Sequence, residues 1–206
     1  MVLDREPVRV LLVRHGEQRT DAPDPSLSDR GAAQAEAVAA ALGLTREDRL
    51  VSSTLRRAVE TARATGHEPE QVRDLDEFRF GPEWTWQQGD EREDLALWRP
   101  EHRAGAESLE EFQTRVEAAV DRLLADPPRG RLVVVVHSGV CDALVRWVIG
   151  AAPGTPWTAE VVVPHGSITE LHHWPHGRHP SGAPRHTSVV RLGDVAHLAP
   201  HLVTGG

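Results

Sequence analysis

Two apolar runs in this chain end the same way, and that repetition constrains the fold more than any other feature. Val10-Leu11-Leu12-Val13 runs into Arg14-His15-Gly16, and Leu132-Val133-Val134-Val135-Val136 runs into His137-Ser138-Gly139. Short unbroken runs of branched residues ended by turn signals read as strands buried on both faces of a parallel sheet. Open α/β sheets bind their ligands outside the carboxyl ends of such strands. A single histidine at a strand end reads first as a structural residue. Two of them in the same pattern point to a site.

The segments between the runs fit the same architecture. Residues 8–13 make the first strand, and 17–27, polar with two prolines, make a loop. Ser28 is a good N-cap for an alanine-rich helix through Leu42, which Gly43 stops. Leu50-Val51 is a short buried strand ending at Ser52-Ser53. Thr54 is expected to cap a helix running to about Thr65, and residues 71–75 read as another short strand. Ser108 and Glu111 make a capping box. Leu109, Phe112, Val116, Val120 and Leu123 recur at helical spacing over 109–125. A helix follows the second histidine motif to Ile149. Residues 167–172 and 188–192 close the chain as a strand pair, with a loop rich in Pro, Gly and His over 174–185. Residues 78–106 stand apart: they carry Trp84, Trp86 and Trp98 among mixed charges, with a short helix expected over 91–98. So long an excursion is expected to act as a lid over one end of the sheet.

The expectation is therefore a single α/β domain over residues 1–206. It would be a three-layer sandwich with a mostly parallel central sheet and helices on both faces. A net charge of −8 argues against nucleic acid as the main partner. No apolar stretch approaches a membrane span, and the first residues lack a secretory pattern. One cysteine, Cys141, excludes an internal disulfide and fits a reducing cytoplasm, so the expected location is cytoplasmic. All 23 basic residues are arginine, which excludes the lysine-bearing phosphate loop and Schiff-base chemistry.

Three strand ends carry polar residues: Arg14-His15, Ser52-Ser53 and His137-Ser138. In a parallel sheet they share one edge. The helix after Ser53 adds Arg56 and Arg57. Two histidines and one or two arginines around a point make an anion-attracting pocket.

On these residues the chain resembles the histidine phosphatase (phosphoglycerate mutase-like) superfamily. Leu11-Leu12-Val13-Arg14-His15-Gly16-Glu17 is similar to its Arg-His-Gly signature. Leu27-Ser28-Asp29-Arg30-Gly31-Ala32-Ala33-Gln34-Ala35 and Ser52-Ser53-Thr54-Leu55-Arg56-Arg57-Ala58-Val59-Glu60-Thr61-Ala62 resemble its two helix-start motifs. Leu75-Asp76-Glu77 with Gly81, Val136-His137-Ser138-Gly139, and Gly193-Asp194-Val195-Ala196-His197-Leu198 follow in the family's order. The resemblance implies metal-independent phosphomonoester hydrolysis through phosphohistidine, with no cofactor. It makes His15 the nucleophile, Arg14 and Arg57 the phosphoryl clamp, His137 a donor to the same oxygens, and Glu77 the acid. Gln18 and Ser138, beside the two histidine motifs, complete the residues expected to touch substrate. The choice of Arg57 over Arg56 comes from the resemblance alone.

Elementary chemistry agrees with these roles. A phosphate dianion must have its charge offset before a nucleophile can attack, and arginine forks do this bidentately. A neutral imidazole nitrogen is a competent nucleophile near pH 7. An alkoxide leaves poorly, so an acid within hydrogen-bond reach is needed. The expected partner is a small phosphate ester, with no nucleic acid and no membrane, and a homodimer is left open. The tryptophans and acidic residues of 78–106 favour a monophosphate with an aromatic or apolar body. Two alternatives stand: a phosphoglycerate-type mutase, and a non-catalytic phosphate- or phosphopeptide-binding module. Departures from the family lie beside the site: Gln18 follows Glu17 where threonine or serine is usual, and Ser138 separates His137 from Gly139 where His-Gly is usual. Asp21 stands where asparagine is usual, and a carboxylate near phosphate must be protonated, paired or turned away. His165 stands in place of the asparagine of Asn-x-Ser, where it serves either phosphate contact or the loop.

Overall fold

The computed structural model describes residues 6–79, 105–155, 160–175 and 186–205. Most of the 78–106 excursion, with its three tryptophans and the expected 91–98 helix, lies outside the described residues, as do residues 176–185 of the histidine-rich loop.

The two apolar runs become neighbours in one sheet. The strands are β1 (Val8–Arg14), β2 (Arg49–Ser52), β3 (Glu70–Gln71), β4 (Leu132–Val136), β5 (Ile168–Trp174) and β6 (His186–Asp194). Their spatial order is β3-β2-β4-β1-β5-β6. The first four of that row are parallel to one another, while β5 runs antiparallel to β1 and β6 antiparallel to β5. The helices among the described residues are α1 (Asp29–Leu42), α2 (Arg56–Arg63), α3 (Leu109–Ala125) and α4 (Ser138–Val148).

Alternation along the strands sends side chains to two separate cores. Val10 and Leu12 of β1 and Leu132, Val134 and Val136 of β4 join Phe112, Val116 and Val120 of α3 and Val140 and Leu144 of α4. Leu11, Val13, Val133 and Val135 join Val38 and Leu42 of α1 and Ala58 and Ala62 of α2 on the other face. Val10–Val13 of β1 and the whole of β4 are therefore apolar at successive positions, because both faces are covered there. Each such buried side chain contributes roughly 1.5–3 kcal/mol of transfer free energy.

The helix boundaries follow their capping chemistry. Ser28 accepts the Gly31 N–H at the start of α1, and Gly43 closes it in the left-handed conformation at φ 47°. Ser108 and Glu111 form the reciprocal capping box of α3. The start of α2 differs from expectation. Its N-cap is Leu55, with no side-chain cap. Thr54 is drawn away because its N–H and Oγ1 both donate to the Asp76 carboxylate. The orphan Arg56 N–H is taken instead by Asp24, which reaches over from the 17–27 loop at 3.0 Å. The strand expected over 71–75 is also shorter, because the chain turns into a 3₁₀ helix over Arg73–Leu75 after β3. No described helix is long and apolar enough to cross a membrane.

Candidate active site

Strand register alone gathers the polar ends. β1 and β4 pair in parallel with Arg14 opposite Val136, so His15 and His137 follow side by side. The His15 N–H donates to Val136 O at 2.9 Å, and the Ser53 N–H donates to Val135 O at 3.1 Å. The chain leaves β1 towards α1 on one face and leaves β4 towards α4 on the other. That is the switch point at which open α/β sheets form their crevice. The two imidazoles lie 5.0 Å apart between ring centroids, and His165 lies 5.5 Å from His15.

His15 is buried and its tautomer follows from its neighbours. Its Nδ1 is 2.7 Å from the Gly16 carbonyl, which can only accept, so Nδ1 carries the proton. Its Nε2 accepts the Arg57 Nε–H at 3.1 Å and keeps a lone pair. Burial, then the charge of Arg57, holds the His15 pKa well below the ordinary 6.5. The loop beneath is fixed by close approach. Gly16 N–H donates to Thr61 Oγ1, and a Cβ on Gly16 would stand 2.4 Å from the Gly31 carbonyl oxygen. Glycine is required where α1 meets the loop after β1 this closely.

Arg57 is 97% shielded from solvent while Arg56 is exposed and pairs with Glu60 at 2.7 Å. Adjacent helical residues point apart, and this orientation separates two arginines that the residues alone left equivalent. Arg14 is half-buried at the end of β1. Its guanidinium donates to the Val163 and Gly205 carbonyls and faces His165 Nε2 at 2.9 Å.

His137 is wholly buried and turned the other way. Its Nε2 lies 2.7 Å from Ser53 Oγ, while its Nδ1 has no hydrogen-bond partner among the described residues. Burial first, then Arg57 and Arg14, depresses its pKa well below 6.5. Glu77 lies against the first turn of α4. Its Oε2 accepts the Gly139 N–H at 3.1 Å and its Oε1 the Phe78 N–H at 3.0 Å. A Cβ on Gly139 would stand 2.5 Å from Glu77 Oε1, so the glycine of this motif is what admits the carboxylate. Arg115 fixes the carbonyls on either side, donating to Asp76 O at 2.8 Å and Glu77 O at 3.1 Å.

The departures resolve in different ways. Asp21 is exposed and pairs with Arg19 at 3.0 Å, so its charge is both turned away and matched. Gln18 is half-buried, bridged through its backbone to Leu27, with an Oε1 that has no hydrogen-bond partner among the described residues. Ser138 is half-buried as the first residue of α4. His165 does reach the site. Sequence reasoning missed Ser53 as the partner of His137, Thr61 as the acceptor for Gly16, and Asp24, whose Oδ1 is 3.9 Å from Arg57. Ser53 and Thr61 stood inside the motifs already singled out. Asp24 gave no signal, because its partners lie on a helix 32 residues away. Among the described residues, no group of three or more His, Cys, Asp or Glu side chains is placed to hold a metal ion.

Two strand-end histidines, two arginines and a carboxylate at one sheet edge define a phosphoryl-handling class, and comparison with known proteins names it. The chain belongs to the histidine phosphatase superfamily (branch 1), whose profile matches residues 10–181. It is 29% identical over 171 residues to the adenosylcobalamin/alpha-ribazole phosphatase of Salmonella typhimurium, a match that covers 73% of this chain and 84% of that one. Its fold is similar to that of mycobacterial hydrolase 2, with a TM-score of 0.72 at 24% identity over 96% of this chain and 95% of the other. The mycobacterial glucosyl-3-phosphoglycerate phosphatase, solved with inorganic phosphate, shares the fold with a TM-score of 0.71 at 24% identity, covering 93% and 100%.

Proposed function

We propose that this protein is a metal-independent phosphomonoesterase that acts on a small phosphorylated metabolite through a phosphohistidine at His15. The observation that carries the reading is the hydrogen bonding of the His15 ring. With Nδ1–H tied to Gly16 O, the only lone pair is on Nε2, and that nitrogen faces Arg57 at 3.1 Å.

The reaction has two steps. A phosphate ester enters with its oxygens on Arg14 and Arg57, and the Arg57 contact passes from His15 to the phosphoryl group. The Nε2 lone pair attacks phosphorus, the ester P–O bond breaks, and Glu77 gives its proton to the departing oxygen. A water then attacks the phosphohistidine, Glu77 takes the water's proton, and the N–P bond breaks to return neutral His15 and release phosphate. His137 serves both steps through Nδ1, the nitrogen without a partner among the described residues. If the Ser53 hydroxyl donates to Nε2, Nδ1 carries the hydrogen and donates to the oxyanion. Ser138, in the same helix turn, and Gln18, at the loop, complete the substrate contacts.

Similarity to the Salmonella phosphatase makes esters of the alpha-ribazole type the first substrates to try. The test is rapid quenching with labelled substrate. Wild type should yield phosphohistidine and free phosphate, and His15→Ala neither. Phosphate release undiminished in His15→Ala would remove the mechanism. On 3-phosphoglycerate, liberated phosphate supports a hydrolase, whereas a phosphoryl group that only changes position supports the mutase.

A further inference from the structure

Arg14 has more acceptors within the protein than a ligand-gripping arginine needs. A guanidinium offers five N–H donors and no acceptor. Nη1 donates to Val163 O and, at 2.6 Å, to Gly205 O. Nη2 faces His165 Nε2 at 2.9 Å. Because Arg14 can only donate, His165 Nε2 is the acceptor, and the ring's one hydrogen sits on Nδ1, which faces Thr204 Oγ1 at 3.3 Å. Three of the five donors are thus held by the protein. The two that remain are a second Nη2 hydrogen and Nε–H, and Nε is buried with no hydrogen-bond partner among the described residues.

His165 itself is anchored on both sides. Its backbone N–H donates to Thr204 O at 2.9 Å, and the next residue, Gly166, donates to Arg14 O at 3.0 Å. Its ring nitrogens are both occupied, one by Arg14 and one by Thr204, so neither is left for a phosphoryl oxygen. A carboxylate at this position would also orient Arg14, but it would cancel the charge that a phosphate needs and repel the phosphate itself. A neutral imidazole orients the cation and leaves its charge intact. Burial, then the neighbouring Arg14 charge, lowers the His165 pKa to about 3, so the ring stays a neutral acceptor in ordinary buffers.

We propose that His165 is a positioning residue: with the carbonyls of Val163 and Gly205, its Nε2 sets the angle of the Arg14 guanidinium so that Nε–H and the remaining Nη2–H meet the phosphoryl group. The inference rests on the phosphate-clamp reading of Arg14 given above. It resolves the two roles open to His165 in favour of neither direct phosphate contact nor a plain loop residue.

The test compares His165→Leu, which fills the space without an acceptor, with His165→Gln, whose amide oxygen can reach the position of Nε2. Inorganic phosphate affinity is measured by titration calorimetry, kcat and KM with an aryl phosphate, and folding by thermal melts. Loss of a hydrogen bond to a charged group predicts a rise of roughly ten- to a hundredfold in phosphate Kd and in KM for the leucine variant, with a smaller change in kcat. Glutamine should recover most of that loss. A leucine variant that binds phosphate like wild type overturns the inference. So does a glutamine variant as impaired as the leucine one, since the loss would then come from packing. Wild type that binds phosphate yet never forms phosphohistidine sinks the proposed mechanism alone, because the His165 comparison is still read from phosphate affinity.

Discussion

The carboxyl ends of β1 and β4 carry the same residue on the same kind of strand, yet they hold it in opposite senses. At β1 the His15 ring is tied through Nδ1 to the next carbonyl, which puts the ring's lone pair on Nε2. At β4 the His137 ring is tied through Nε2 to Ser53 on the neighbouring strand, which leaves Nδ1. Both imidazoles are buried and kept neutral by the same two causes, burial and the arginine charges. The difference therefore lies in orientation and not in acidity. A carbonyl partner forces a lone pair onto the far nitrogen, whereas a hydroxyl partner can donate and so leave a hydrogen there. One geometry suits a nucleophile and the other suits an oxyanion donor.

The hardest way to break that contrast is to remove each ring in turn. His15→Ala should lower kcat/KM by roughly four to six orders of magnitude and abolish the phosphoenzyme, as expected when a covalent nucleophile is lost. His137→Ala should lower kcat by roughly a hundred- to a thousandfold, the usual effect of deleting one oxyanion donor, while quenched samples still contain phosphohistidine. If the two variants lost activity equally and both failed to form phosphoenzyme, the rings would not divide the work this way.

Acid stability sharpens the point on which the rings agree. An unfolded histidine takes a proton near pH 6.5, while His15 and His137 in the fold resist protonation until well below it. Between those values the unfolded chain holds more protons, so stability rises with pH and falls as pH drops below 6.5. Each such histidine should add about 1 kcal/mol between pH 6.5 and 5.5, approaching about 1.4 kcal/mol per pH unit further down. Asp142 acts the other way between its ordinary 3.8 and about 6, where burial makes the native state hold the extra proton. Glu170, held at about 2 by Arg191, His172 and Arg9, adds to the loss only at lower pH, below its ordinary 4.5. Denaturant titrations at pH 6.5 and 5.5 should show His15→Ala and His137→Ala each reducing the slope by a similar amount. A histidine whose removal left the slope unchanged would be charged in the fold.

Much of this contrast was legible before any coordinates. The two apolar runs, their histidines and the edge they share follow from period and composition, because a strand covered on both faces has few sequences open to it. The start of α1 and the capping box of α3 are written in local chemistry and came out where expected. What could not be read is anything settled between distant segments. Thr54 has the composition of a cap, but Asp76 outcompetes the helix for it, and Asp24 fills the vacancy. The grip on Arg14 by Val163, His165 and Gly205 joins residues about 150 to 190 positions apart in sequence, two of them through backbone oxygens that carry no sequence signature. Which nitrogen of His137 is tied down belongs to the same class of fact, since it depends on Ser53, 84 residues away just past another strand.

Ser53→Ala is the gentlest probe of the comparison and the most specific. The hydroxyl is buried, accepts the Leu55 N–H at 3.3 Å and meets His137 Nε2 at 2.7 Å. Without it the ring stays in place by packing, but nothing selects the form with hydrogen on Nδ1, so a share of the molecules presents a lone pair to the phosphoryl oxygens. A neutral hydrogen bond is worth about 1 kcal/mol net, so kcat should fall about fivefold, with phosphohistidine still formed. Nitrogen-15 spectra of the free protein should show the His137 ring shifting its tautomer while the His15 ring, tied to Gly16, does not change. The decisive reading is a double-mutant cycle, because Ser53 is assigned no role except through His137. In a His137→Ala background, Ser53→Ala should then cost almost nothing further. An unabated fivefold loss in that background would mean that Ser53 reaches the reacting group by another route, and the two strand ends would no longer differ in the way their hydrogen bonds imply.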